Sequence, residues 1–292
     1  MTRRFDPARL SGGIDSYLAG VEAAVPDIRP GVAKRVIWHD APETRAPWAV
    51  VYVHGFSASS EELRPLPDLV AGGLGANLVF TRLQGHGRTG PAMAEATLSG
   101  WRDDVAEALA IGQRVGEQVL VMGCSTGCPL LTLALAEQQV AGAVMISPNY
   151  GLRDRKARLL NWPLARYWLP LAAGRTRGFT PRNDAHARYW TTRYPTQAVL
   201  PMAQAVQASR RIDHSRIKTP VLFAFDDRDR LIDHVETRIV AQKWGAAARV
   251  LPVVTQQGDD PDHHVIAGDA MSPSRTHGLA REILQWVAGL PH

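Results

Sequence analysis

Short runs of apolar residues recur along the chain at 32–39, 48–53, 77–80, 119–122, 140–146, 221–225 and 249–254. Several, such as Val119-Leu120-Val121-Met122, show no alternation with polar residues, which is how a strand covered on both faces reads. Between them lie stretches of helical period at 59–69, 100–115, 125–137, 233–244 and 274–287, and Ser59 and Glu62 have the spacing of a capping box at the start of the first. Strand alternating with helix predicts an α/β chain with a mostly parallel sheet. Parallel neighbours need a crossover, and right-handed crossovers place helices on both faces.

One interval breaks the rhythm. Residues 149–216 contain no clear strand but concentrate prolines, arginines and aromatic residues, among them Trp162, Trp168 and Trp190. A segment that long without structure is out of keeping with a compact domain. It reads as a mainly helical cap or lid inserted into a core formed by residues 1–148 and 217–292. A length of 292 residues suits one core domain with such an insertion.

No apolar stretch reaches the ~18 residues of a membrane span. Met1-Thr2-Arg3-Arg4 is basic but no apolar region follows it, so no export signal is read and the expected location is cytoplasmic. Two cysteines, Cys124 and Cys128, exclude a disulfide framework and a zinc site of cysteine and histidine. The net charge of +5 comes without a basic block interleaved with aromatics, which excludes a nucleic-acid surface. Arg153, Arg155, Lys156 and Arg158 read as a solvated helix face, with at most a transient lipid-surface contact as the alternative.

The chemistry is carried by Gly123-Cys124-Ser125-Thr126-Gly127, which follows the run at 119–122 directly. A serine on a tight strand-to-helix turn is lifted clear of the sheet, and flanking glycines let the turn close. The helix beginning there points its positive end at the hydroxyl. A serine needs a base, and the base an orienting acid. Candidates follow in that chain: Asp226, Asp227 and Asp229 after the run at 221–225, then His263 and His264 after the run at 249–254. Stabilising an oxyanion requires two backbone donors. His54-Gly55-Phe56-Ser57, directly after the run at 48–53, supplies a loop for one, and the predicted donors are the amides of Phe56 and Thr126. His54, His86, Trp101, Asp104, Cys124 and Cys128 are read as structural, and His277 as a surface residue.

Together, His54-Gly55-Phe56-Ser57, Gln84-Gly85-His86-Gly87-Arg88, Trp101-x-x-Asp104, Gly123-x-Ser125-x-Gly127, Asp226-x-x-Asp229 and His264-Val265-Ile266 resemble the carboxylesterase, monoacylglycerol lipase and lysophospholipase-like branch of the α/β-hydrolase superfamily. The resemblance implies the α/β-hydrolase fold and a serine hydrolase of carboxylic esters working through an acyl-enzyme. It puts the nucleophile on Ser125, the acid on Asp229 and the base on His264, with Asp226, Asp227 and His263 as rivals. Trp162, Trp168, Trp190 and Met202 of the cap are expected to line a pocket for medium or long acyl chains, the other reading being that they hold the cap to the body. A thioesterase, an acyltransferase and a non-catalytic binder on the same fold are the alternatives. No cofactor and no metal is called for, and the expected partner is a small acyl ester.

Overall fold

The computed structural model describes residues 5–290. In chain order the first half contains α1 (Ile14–Ala23), β1 (Arg35–Ile37), β2 (Ala46–Val53), α2 (Leu66–Leu74), β3 (Ala76–Phe80), α3 (Leu98–Val115), β4 (Gly116–Cys124), α4 (Gly127–Leu135) and β5 (Gly142–Ile146). Next come α5 (Ala165–Ala173), β6 (Thr176–Gly178), α6 (Asp184–Tyr189), β7 (Arg193–Pro195) and α7 (Leu200–Arg211). The chain ends with β8 (Val221–Phe225), α8 (His234–Lys243), β9 (Ala248–Pro252) and α9 (Pro273–Ala288). Among the described residues β6 and β7 form a separate pair, and seven strands form one sheet in the order β1-β3-β2-β4-β5-β8-β9. Only β1, at the edge, is antiparallel to its neighbour.

Each apolar run supplies side chains to both faces, because successive residues of a strand point to opposite sides. Val51, Val121, Met145 and Phe223 pack on one face with Leu109 of α3, Leu131 of α4 and Val240 of α8. Val50, Leu120, Val144 and Leu222 pack on the other with Val70 of α2 and Leu279 and Ile283 of α9. This doubly covered sheet is the reason the strands read as continuous hydrophobic runs. No helix among the described residues is long and apolar enough to cross a membrane.

Two expectations change. The helix expected at 59–69 begins only at Leu66, since residues 60–65 form turns. Pro65 and Pro67 explain the delay: proline lacks the amide a helix interior needs and is tolerated only in the first turn. Glu62 therefore caps nothing, and its side chain is buried instead. Residues 149–216, read as lacking strands, also include the antiparallel β6–β7 pair, with Thr176 opposite Pro195 and Gly178 opposite Arg193. The core beneath this segment is continuous with that of α4, since Leu160, Leu169, Val199 and Met202 belong to the same buried cluster as Leu131.

The α9 face contributes much of the second layer. Ile283 is fully buried, so Ile283→Ala is expected to lower stability by about 2–5 kcal/mol in urea unfolding. Val235→Ala, at a side chain 63% exposed, should change it by no more than about 0.5 kcal/mol.

Candidate active site

β4 ends at Cys124, and Ser125 turns the chain with φ +49, a left-handed conformation that costs a non-glycine residue. Its backbone is fixed from two sides. The Ser125 N–H donates to the Ile146 carbonyl at 2.9 Å, and the Ser125 carbonyl accepts from Cys128 and Asn149 at 3.1 Å each. The flanking glycines are demanded by contact: a Cβ on Gly127 would stand 2.2 Å from the Val53 carbonyl oxygen, and one on Gly123 2.8 Å from Leu131 Cδ1.

Ser125 Oγ lies 3.0 Å from His264 Nε2, and His264 Nδ1 lies 2.7 Å from Asp229 Oδ2. Three side chains distant in sequence thus form one hydrogen-bonded line at the carboxyl ends of β4, β8 and β9. Asp229 is fully buried. Its Oδ1 accepts from the amides of Leu231 and Ile232 at 2.8 and 2.9 Å. Burial alone would raise its pKa, but the charge of His264 and the hydrogen bonds from His234 and His264 hold the carboxyl well below the ordinary range. For His264 burial opposes the charge, yet the Asp229 carboxylate beside it wins and raises its pKa above 6.5.

The rival residues are drawn elsewhere. Asp226 bonds Arg228 at 2.6 Å and the Thr255 hydroxyl at 2.9 Å. His263 Nδ1 bonds Thr255 Oγ1 at 2.6 Å, and Asp227 is paired with Arg238 at the surface. None of the three reaches Ser125 in these contacts. Asp260 fixes the backbone of the histidine loop, its Oδ2 accepting from the amides of His264 and Val265 at 3.1 and 2.9 Å.

The loop after β2 is held residue by residue. His54 is fully buried, and burial pushes its pKa down to about 4. The neutral ring accepts at Nε2 from the Leu83 amide at 3.1 Å and donates at Nδ1 to the Gly55 carbonyl at 2.9 Å. His86, likewise lowered by burial, accepts at Nε2 from the Ser57 amide at 3.0 Å. Trp101 and Asp104 bond the Gln84 carbonyl and amide at 2.9 and 2.7 Å and so steady the loop that carries His86. The Ser57 amide is thus occupied, and the Gly55 amide donates to Glu62 Oε1. Those of Phe56 and Thr126 form no hydrogen bond among the described residues. Cys124 and Cys128 are buried free thiols whose pKa burial raises, and His277 is exposed.

Two supporting residues were not legible. Glu62 Oε1 accepts from the Gly55 amide at 2.5 Å and from the Tyr52 hydroxyl at 2.8 Å, directly beneath the loop. Burial pushes its pKa up to about 7. His234, stacked on Phe225 with ring centroids 4.2 Å apart, shares Asp229 Oδ2 at 3.0 Å. No spacing rule announces either. Glu62 lies seven residues past Gly55 across irregular turns, and His234 opens a helix whose start is capped by Asp233.

A cavity of about 760 Å³ opens over Ser125 and His264. Trp168, Trp190 and Met202 line it with Leu160, Leu169 and Val199. Trp162 does not. It sits at the junction of the turn Arg155–Asn161 with α5, 62% exposed, because its neighbours Leu160 and Ala165 take the inward positions. Among the described residues no group of three or more His, Cys, Asp or Glu could hold a metal ion.

Residues 50–273 match the model of the Alpha/beta hydrolase family. The thermostable monoacylglycerol lipase of Bacillus sp. (strain H-257) is 27% identical over 200 residues, covering 67% of this chain and 76% of the lipase. Among solved structures, one from work on LipS and LipT, two metagenome-derived lipolytic enzymes, superposes with a TM-score of 0.73 at 18% identity, covering 90% of this chain and 99% of that one. The monoacylglycerol lipase of Paleococcus ferrophilus superposes with a TM-score of 0.62 at 16% identity, covering 87% and 97%.

Two outcomes are expected from this geometry. Below its pKa the His264 ring carries a second proton and cannot accept one from Ser125, so kcat/KM should rise with pH through a midpoint above 6.5. Asp229→Asn, which removes the charge that raises the pKa, should move that midpoint down as well as slow the reaction, and a flat profile would contradict the assignment. Glu62→Ala frees the Gly55 amide and should lower kcat by about tenfold or more, since small misplacements at a reacting centre are costly. Glu62→Gln keeps an acceptor oxygen and should retain most of the rate in a steady-state ester assay.

Proposed function

The chain belongs to the alpha/beta hydrolase family, and from that premise we propose that it cleaves carboxylic esters through an acyl-enzyme on Ser125. The observation that carries the proposal is the line Ser125 Oγ to His264 Nε2 at 3.0 Å and His264 Nδ1 to Asp229 at 2.7 Å. His264 takes the Ser125 proton as Oγ bonds to the ester carbonyl carbon. The oxygen that gains charge is received by the free amides of Phe56 and Thr126. When the carbonyl reforms, the bond to the alcohol breaks and the leaving alkoxide takes the proton from His264. Water then repeats the sequence on the acyl group, giving its proton to His264 and releasing the acid as Ser125 is reprotonated. Throughout, the Asp229 carboxylate offsets the charge on the imidazolium.

The cavity supports an ester of a medium or long acyl chain with a small polar alcohol. Trp168, Leu169, Trp190 and Met202 supply apolar wall for the chain. Beside Ser125 the wall turns polar. Thr126 Oγ1 and Asn149 Oδ1 are buried, belong to the cavity lining and have no hydrogen-bond partner among the described residues. Buried polar atoms left unpaired are costly, so a small side-chain rotation that turns these two toward the cavity would let a hydroxyl-bearing alcohol pair them. The sequence relative is a monoacylglycerol lipase, which fits that pairing of apolar chain and free hydroxyls.

A panel of monoacylglycerols and alkyl esters of equal acyl length tests this reading. The wild type should prefer monoacylglycerols of medium or long chain. Asn149→Ala should lower kcat/KM for them by about fivefold or more while changing the simple esters little, in line with about 1–3 kcal/mol for an unmet buried polar group. Equal loss on both substrate sets would remove Asn149 from alcohol recognition, and no hydrolysis of any ester would contradict the proposed activity.

A further inference from the structure

Between residues 155 and 182 the sequence carries seven Arg or Lys and no Asp or Glu, more charge than the net +5 of the whole chain. Arg182 is paired with Asp262 at 2.5 Å. The other six, Arg155, Lys156, Arg158, Arg166, Arg175 and Arg177, form no ion pair among the described residues. The same stretch exposes large apolar side chains: Trp162 by 62%, Leu164 by 71%, Tyr167 by 65% and Leu171 by 86%. Every residue from 171 to 180 is exposed.

α5 shows how this arises. Ala165 and Leu169, four apart, are buried, and Leu169 lines the cavity. Tyr167 and Leu171, also four apart, make a second apolar stripe that meets water. A helix apolar on two faces in a water-exposed position has one face uncovered, and a cluster of this kind marks an interaction surface. The surroundings select the occupant. A second copy of the chain would present the same unpaired cations and be repelled. An anionic lipid surface satisfies both features, since arginine and lysine stay among the head groups while tryptophan and tyrosine lie at their level and leucine reaches the acyl boundary.

We infer that residues 155–180 are a docking surface for an anionic lipid bilayer, seated through Trp162, Tyr167 and Leu171 beneath a rim of unpaired arginines. The surface adjoins the cavity, for Lys156, Leu159, Arg177 and Phe179 line its wall. A lipid held there lies at the entrance to Ser125. Docking needs no turnover and so stands apart from the proposed chemistry.

The test is co-sedimentation of the full chain with vesicles of phosphatidylcholine alone or with about 30% phosphatidylglycerol, a fraction that gives a clearly negative surface. Binding to the anionic vesicles should be at least about tenfold tighter, and should fall at least about tenfold between 0.05 and 0.5 M NaCl as the Debye length shrinks to a few Å. Tyr167→Ser/Leu171→Ser and Arg166→Glu/Arg175→Glu should each weaken anionic-vesicle binding about fivefold or more. Hydrolysis of a water-soluble short-chain ester and the thermal melt should stay unchanged, showing that both variants fold. Failure of the wild type to bind anionic vesicles, equal binding to neutral ones, or unaltered binding by both variants would overturn the inference. So would a lipid-free dimer that Tyr167→Ser/Leu171→Ser dissociates, which would make a second copy the occupant. A wild type that binds vesicles but cleaves no ester would leave docking intact and count against the proposed activity alone.

Discussion

The site depends on one backbone constraint, the left-handed turn at Ser125 that ends β4 and is held between β2 and β5. A strand that continued straight would bury the hydroxyl in the sheet. The turn becomes possible because Gly127 lets the start of α4 pass close over the Val53 carbonyl, while the Ser125 amide stays tied to Ile146 of the neighbouring strand. The strain of the turn is offset by the sheet beneath it, whose strands pack on both faces. The side chain that emerges meets His264 and lies at the start of α4, beside the Gly55-Phe56 loop, whose Phe56 amide forms no hydrogen bond among the described residues.

Around that turn, buried histidines and carboxylates have been sorted by environment into different tasks. His54 and His86 are kept neutral by burial, and a neutral imidazole has the single acceptor that each uses to hold a loop amide. His264 is pushed the opposite way by Asp229, which suits a group proposed to carry a proton for part of each cycle. Glu62, Asp229 and Asp260 all lie close to the site, yet each satisfies a distinct set of amides: the loop after β2, the turn before α8, and the loop that carries His264. Residues 149–216 are fastened to the loop after β2 and to the stretch before β1. The Thr191 amide donates to the Ser57 carbonyl at 2.7 Å, and Arg29 reaches the carbonyls of Arg188 and Trp190.

The strands were legible because burial on both sides removes polar residues from a run, and all seven runs correspond to strands of the main sheet. The serine turn was legible because its glycines answer to contacts within the local motif. The resemblance puts the acid on Asp229, but why Asp226 and Asp227 stand apart is visible only in three dimensions, where Arg228, Thr255 and Arg238 claim them. Glu62 was misread as a helix cap because spacing alone carries no record of the prolines' effect on the next turn. Trp162 shows the complementary limit: composition marked residues 149–216 as aromatic, but which aromatics face inward is decided by the turn that precedes α5.

The central claim is that Ser125 Oγ is the group made nucleophilic by His264. Covalent trapping with a fluorophosphonate, followed by intact mass and peptide mapping, tests it most directly. The account predicts one adduct per chain, on Ser125, formed at a rate that collapses in His264→Ala. An adduct on another residue, or no adduct on a folded protein, would contradict it.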